Sequence, residues 1–354
     1  MPVGTRGAVR TLSTADLDDL APPVVLANTY HLMLRPGVET VVALGGLHRF
    51  MDWSGHLLTD SGGYQVFSLA PKVDDDGVTF RSTYDGSSHR LTPERAVELQ
   101  QAMGADIQMV LDVCPPLPSP PEVLAMAVDR SAAWAARARR CFLADGPEGV
   151  TCPPGGGHGH AEARAHGQAQ FGIVQGGTDA GLRAESAERT LAIGFDGYAV
   201  GGLSVGESRP EMLAALAAAV AELPPDQPRY LMGVGDPAAM VEAVTLGVDL
   251  FDCVLPTRLA RHGTILTAGG RMNLAQARFA ADDRPLDETC PCSVCARWSR
   301  GYLRHLLQVG ERSAGRLLTL HNLAWSLRFA AELRAAVVAG RLASLRRRVL
   351  SVWG

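Results

Sequence analysis

The chain has 354 residues, 47% hydrophobic and 20% charged, and no apolar run approaches the roughly 20 residues a membrane helix needs. This excludes a disordered chain and a helical membrane span, and the length suits one (β/α) barrel with additions. The net charge of −4 hides an asymmetry: Cys290–Gly354 holds eleven Arg against Glu311 and Glu332, a balance of +9, which leaves −13 on the other 289 residues. A basic end on an acidic body predicts either a local polyanion footprint or an Arg-rich solvated helix face.

Met1–Gly4 shows no charged start leading into an apolar stretch, so no signal peptide is expected, and the segment is read as a clipped first strand. Short β-branched runs then recur at Val24–Asn28, Leu57–Asp60, Asp106–Asp112, Phe171–Gln175, Gly197–Gly201, Tyr230–Val234 and Val248–Asp252. Helices are predicted at Pro93–Met103, Arg209–Leu223 and Pro237–Leu246. Thr92-Pro93-Glu94 and Ser208-Arg209-Pro210-Glu211 supply capping hydroxyls and early Pro and Glu. Eight strands alternating with helices predict an α/β fold with a closed parallel sheet, a (β/α)8 barrel that carries its chemistry at the C-terminal strand ends. The Gly146–Gly167 stretch is rich in Gly, Pro, His and Ala and has no apolar periodicity. It predicts a disordered surface insertion, with His158, His160 and His166 as a rival metal tract.

Seven cysteines, an odd number without a secretory signal, point to reduced cytoplasmic thiols or a metal site. Cys290, Cys292 and Cys295 lie within six residues, and His321 follows 26 residues later. Three sulfurs and one imidazole fill a tetrahedral Zn(2+) shell with no open position, the structural arrangement, one ion per subunit. His305 is the rival fourth ligand, but it lies in the helix-like run Arg297–Leu307.

Asp60, Asp112 and Asp252 each end an apolar run, and Gln175 ends another. A lone Asp there is usually a helix N-cap. Three that converge on one barrel mouth suit a nucleophile and a general acid/base, as in retaining glycosyl transfer. Asp112 and Gln175 suit equally well the hydrogen-bonding edge of a flat heterocycle.

The motifs Met1–Thr5, Asn28–Leu32, Asp60-Ser61-Gly62-Gly63-Tyr64-Gln65, Gly172–Gly177, Gly201-Gly202-Leu203 with Gly206-Glu207, and Phe251–Arg258, together with the cysteine cluster and His321, resemble bacterial tRNA-guanine transglycosylases. The resemblance runs to about Ser344, with no counterpart for Gly146–Gly167. It implies a single barrel over residues 1–354, short at its N-terminus, with a zinc-binding subdomain over 278–325. The reaction implied exchanges guanine at the tRNA wobble position for a 7-deazaguanine, 7-aminomethyl-7-deazaguanine in the first instance, toward queuosine. Asp252 matches the nucleophile and Asp60 the general acid/base. Asp112, Gln175, Gly202 and Leu203 match the groups on the base edge, and Leu203 and Glu207 those near the 7-substituent. Tyr64 and Met232 match the walls around the ring. Partners implied are a tRNA with a wobble guanine, the free deazaguanine base and a second copy in a homodimer, all in the cytoplasm.

The residue after Asp112, commonly Glu in bacterial members, is Val113 here, which bears on the preferred 7-substituent. Arginines expected on tRNA phosphate are Arg297, Arg300 and Arg304, then the Arg346-Arg347-Arg348 run, or else Arg258 and Arg261 after Asp252. Within the family the alternative is exchange of another deazaguanine or at another tRNA position, against which stands the lack of an RNA-binding domain after Ser344. Outside catalysis the alternative is a silent tRNA-binding subunit, against which stand intact Asp60 and Asp252. A zinc hydrolase would need an open metal position at the strand ends.

Overall fold

The computed structural model describes residues 1–69, 71–144 and 167–354; the His158, His160 and His166 tract, and all of the predicted insertion except Gly167, lie outside them. The strands are β1 (Val3–Gly4), β2 (Val24–Asn28), β3 (His56–Asp60), β4 (Lys72–Val73), β5 (Val78–Arg81), β6 (Ser88–Leu91), β7 (Ile107–Met109), β8 (Ala169–Val174), β9 (Gly197–Val200), β10 (Arg229–Leu231), β11 (Leu250–Phe251), β12 (Thr264–Thr267) and β13 (Gly270–Asn273). Eight of them form one parallel sheet in the order β1-β2-β3-β7-β8-β9-β10-β11. The Met1 nitrogen donates to the Phe251 carbonyl at 2.6 Å, which brings the first and last strands together and curls the sheet into a (β/α)8 barrel.

Alternation along the strands sorts side chains between two cores. Leu26 and Leu58 pack in one cluster with Phe171, Tyr198 and Tyr230. Their neighbours Val25, Ala27 and Leu57 pack in another, with Leu99 and Met103 of the Pro93–Met103 helix. Thr92 caps that helix by accepting from the Arg95 N–H, and Ser208 with Glu211 forms the expected capping box at Arg209–Glu222. The helices Pro121–Leu143 and Ala180–Ile193 continue the expected alternation after β7 and β8, and Arg312–Val338 adds a long helix near the C-terminus. The predicted Asp106–Asp112, Tyr230–Val234 and Val248–Asp252 strands shorten to β7, β10 and β11.

Two additions decorate the barrel. An antiparallel meander, β4-β5-β6, lies between β3 and β7, and the β12-β13 hairpin follows β11. Ile265 of the hairpin joins Leu274, Phe279, Leu286, Val294, Leu303, Leu306 and Leu318 beyond it in a small separate core around the cysteine loop. Among the described residues no helix is long and apolar enough to cross a membrane.

Candidate active site and metal centre

Asn28 and Asp60 are register partners at the ends of β2 and β3. The Asn28 amide therefore donates across the ladder to Asp60 Oδ2, where Gln65 Nε2 also donates at 3.3 Å, and the Thr29 N–H reaches Oδ1 at 2.8 Å. Burial outweighs these donors and lifts the Asp60 carboxyl from 3.8 to about 6. Asp112 receives Gln175 Nε2 on Oδ2 at 2.6 Å and is likewise raised to about 6, chiefly by burial and further by the charge of Asp60. Two glycines make room for these groups. A Cβ on Gly63 would stand 3.1 Å from Asp112 Oδ1, and one on Gly202, at φ +66°, only 2.4 Å from Gln175 Oε1.

Asp252 is held differently. Its Oδ1 accepts from the Tyr230 hydroxyl at 2.6 Å and from the Gly233 N–H at 2.7 Å, while Oδ2 has no partner among the described residues. Tyr230 is buried, and its hydroxyl is pushed well above 10 by burial and then by the charges of Asp252 and Asp60. Both aspartates are close enough that each raises the Tyr230 hydroxyl, and the charge of Asp252 adds to the rise at Asp60. Asp60 is thus the carboxyl with the raised pKa, and Asp252 the one with an oxygen free of hydrogen bonds among the described residues.

Leu203 is buried, and Glu207 accepts from the N–H groups of Ser204 and Val205, closing its own turn. Met232 lies by Gly201, where a Cβ would sit 3.5 Å from its sulfur, and Tyr64 is 62% exposed at the rim. Val113 belongs to the buried cluster that includes Val66, Ala127 and Trp134, and its N–H donates to Ser131 Oγ at 2.9 Å. The side chain that follows Asp112 is thus built into the core. Cys114 is a half-buried thiol pushed up to about 12 by burial, and therefore a poor nucleophile.

Sequence reasoning missed Tyr230 and Arg183. The tyrosine reads as an ordinary strand aromatic. Arg183, four residues past the Asp179 cap, reads as one more solvated helix arginine, yet it is fully buried.

The cysteine cluster folds as its spacing predicts. The ligand atoms of Cys290, Cys292, Cys295 and His321 all lie within 4.8 Å of one another, and His321 Nδ1 is 3.6 Å from the Cys292 sulfur and 3.3 Å from that of Cys295. A tetrahedron with zinc–sulfur bonds near 2.3 Å has edges of about 3.8 Å, so the four residues fit such an ion. The other ring nitrogen of His321 meets the Leu266 carbonyl at 2.8 Å, which fixes Nδ1 as the lone-pair donor facing the sulfurs. His321 is fully buried, whereas His305 sits outside the cluster on the Arg300–Gln308 helix.

A family model described as queuine tRNA-ribosyltransferase matches residues 1–354. The chain belongs to that family. The queuine tRNA-ribosyltransferase of Gluconacetobacter diazotrophicus is 51% identical, over 97% of this chain and 84% of its own length. Those of Symbiobacterium thermophilum and Novosphingobium aromaticivorans are 48% and 49% identical, over 100% and 97% of this chain and 84% and 88% of their own lengths.

Against this family background the C-terminal arginines divide into two groups. Arg300 is buried, bonded to Asp282 and to the Leu286 carbonyl, and Arg304 is bonded to the Gln276 carbonyl and Gln308. Arg346 pairs with Glu242 and Arg348 with Glu332. Of the eleven arginines counted in Cys290–Gly354, Arg300, Arg316, Arg346 and Arg348 pair with an acid among the described residues, whereas Arg297 and Arg347 are exposed with no acidic partner there. Arg258 and Arg261, exposed on the Leu255–Arg261 helix directly after Asp252, have no acidic or carbonyl partner among the described residues.

Proposed function

We propose that the chain is a tRNA-guanine transglycosylase that exchanges the wobble guanine of tRNA for a 7-deazaguanine through a covalent enzyme–ribose intermediate, in queuosine biosynthesis. Family membership supports a pentosyltransferase of the tRNA-modifying class. The observation that carries the finer reading is the contrast between the two carboxyls. Asp252 offers one bare oxygen on a doubly anchored carboxylate, and Asp60 sits near neutrality in pKa. Such a pair divides nucleophile from acid/base.

In the first half-reaction Asp252 Oδ2 attacks ribose C1′. The bond from C1′ to guanine N9 breaks, its electron pair goes to N9, and Asp60 supplies the proton. In the second half, Asp60 takes the N9 proton of the incoming deazaguanine. N9 then bonds to C1′ as the C1′–Asp252 oxygen bond breaks. No water or nucleotide cofactor is consumed, and the tRNA backbone stays intact. The target base must leave its stack to reach this site.

Asp112 and Gln175, joined at 2.6 Å, present a donor and acceptor edge to the base beside Gly202 and Leu203. Glu207 stands near the 7-substituent, and 7-aminomethyl-7-deazaguanine is the incoming base we assign. Tyr64 and Met232 wall the ring, and Arg258 and Arg261 take phosphates. Zn(2+) on Cys290, Cys292, Cys295 and His321 supplies cross-linking of the small core rather than chemistry. The enzyme acts in the cytoplasm as a homodimer. Mass spectrometry of tRNA nucleosides after incubation with candidate deazaguanines tests the reaction. A wild-type enzyme that leaves wobble guanine untouched with every base overturns it.

A further inference from the structure

Arg183 is fully buried, and among the described residues it has no carboxylate partner. Its guanidinium instead donates to four backbone carbonyls. Nε reaches Gly177 at 2.8 Å, one Nη reaches Val174 at 3.0 Å and Gly201 at 2.7 Å, and the other Nη reaches Gly202 at 3.3 Å. These carbonyls come from the last residue of β8 and from the loops after β8 and β9, the two that carry Gln175 and Gly202. A buried guanidinium whose hydrogen bonds all go to carbonyls is an expensive arrangement, and burial, offset only in part by the charge of nearby Glu207, drops its pKa to about 10.

A trans peptide points its N–H opposite to its C=O. With the Gly201 and Gly202 carbonyls turned toward Arg183, the N–H groups of Gly202 and Leu203 turn away from it. Neither N–H has an acceptor among the described residues, although Leu203 is buried. Two consecutive unmatched donors, one on a half-buried glycine and one on a buried leucine, beside the residues read as the base edge are the pattern of an oxygen-accepting hole. Ser186, on the same helix face, fixes the neighbouring loop by accepting the Gln175 N–H at 2.9 Å. Gly176, where a Cβ would lie 2.8 Å from the Arg183 nitrogen, lets the loop pass directly over that helix.

We propose that Arg183 is a positioning residue for the base pocket: by clamping the Gly201 and Gly202 carbonyls it aims two backbone N–H groups at a keto oxygen of the purine and so selects 6-oxo over 6-amino bases. This rests on the transglycosylase reading. The buried positive charge behind the peptides strengthens both donors. Lysine keeps the charge but, as a point donor without a planar fork, cannot hold carbonyls from both loops at once.

The test compares equilibrium binding of guanine and 2,6-diaminopurine to wild type and Arg183→Lys, alongside the KM of each enzyme for tRNA. Arg183→Lys should shrink the preference for guanine over the diamino base by about tenfold or more and leave the tRNA KM within about twofold. Hydrogen exchange on wild type gives an independent reading if the variant does not fold. Guanine should protect the Gly202 and Leu203 amides, and 2,6-diaminopurine should not. An unchanged preference in a folded variant, an equal loss for both bases, or equal protection by both overturns the role of Arg183. Wild type that binds neither base and exchanges no guanine overturns the functional reading itself.

Discussion

The Tyr230 hydroxyl and the Gly233 N–H both donate to the same oxygen of Asp252, at 2.6 and 2.7 Å, so the carboxylate is pinned by one atom and bare at the other. That asymmetry orients the attacking lone pair, and it gives the tyrosine a measurable role. Tyr230→Phe removes a hydrogen bond to a charged group, typically ~1.5–3 kcal/mol, from a site where orientation matters. Single-turnover formation of the covalent protein–RNA species should slow by roughly 10- to 100-fold while tRNA binding holds. An unchanged rate removes Tyr230 from the mechanism.

Asp252→Asn should abolish the adduct on denaturing gels, and Asp60→Asn should lose at least ~10²-fold in exchange. An adduct that persists in Asp252→Asn transfers the nucleophile elsewhere.

Asp60 also makes a stability prediction with a definite sign. Its pKa rises from 3.8 to about 6 on folding, so between those values the native state binds more protons than the unfolded chain. Wild type therefore loses stability as pH climbs from about 4 to 6, on the order of 3 kcal/mol from this group, and the loss levels off above. Asp60→Asn lacks that loss, since its neutral amide can be matched by a flip of the Asn28 amide. Denaturant unfolding should find the inactive variant gaining on wild type through that window and keeping the advantage at pH 8. A constant difference from pH 4 to 8 contradicts the burial argument.

Legibility in the sequence followed the physics of each feature. Eight strands were visible because each is a short apolar run bounded by polar or glycine residues, and the cysteine spacing identified a metal shell because few turns place three sulfurs together. Asp60, Asp112 and Asp252 stood out as carboxylates closing apolar runs. Tyr230 and Arg183 did not, because their importance lies in partners more than ten residues away or on another loop, which no local pattern encodes. The charge excess of the C-terminal segment is matched in part by acids that the linear count cannot place. Arg300, Arg346 and Arg348 meet Asp282, Glu242 and Glu332, and two of those acids lie outside the segment counted.

The metal centre should bind one zinc per chain, and Cys292→Ala or His321→Ala should lose metal and thermal stability together. His321 gives the sharper case, because its ring also ties the Leu266 carbonyl of β12 to the cluster. Chelation should melt the small core before the barrel, visible as early hydrogen exchange at Leu303, Leu306 and Leu318. Chelated protein that keeps its protection there refutes a structural ion.

The last prediction concerns the RNA footprint. A single flipped base offers too little surface to hold a tRNA, so phosphate contacts must supply most of the affinity, and binding should weaken steeply with salt. An arginine already matched by a buried or bidentate acid has little charge to offer. Arg346 meets both oxygens of Glu242 at 2.8 Å, and Arg300 is buried against Asp282. Arg258 and Arg261 carry no such partner and stand on the helix that begins three residues after Asp252. Reversing both to Glu should raise the KM for tRNA by tenfold or more, leave free-base affinity unchanged, and lower the salt slope by about 1 to 2. Arg300→Glu should instead lower the melting temperature, since it sets a second carboxylate against Asp282. Should Arg346→Glu cost as much tRNA affinity as the Arg258/Arg261 reversal, the footprint extends over the C-terminal helix, and its pairing with Glu242 must break when RNA binds.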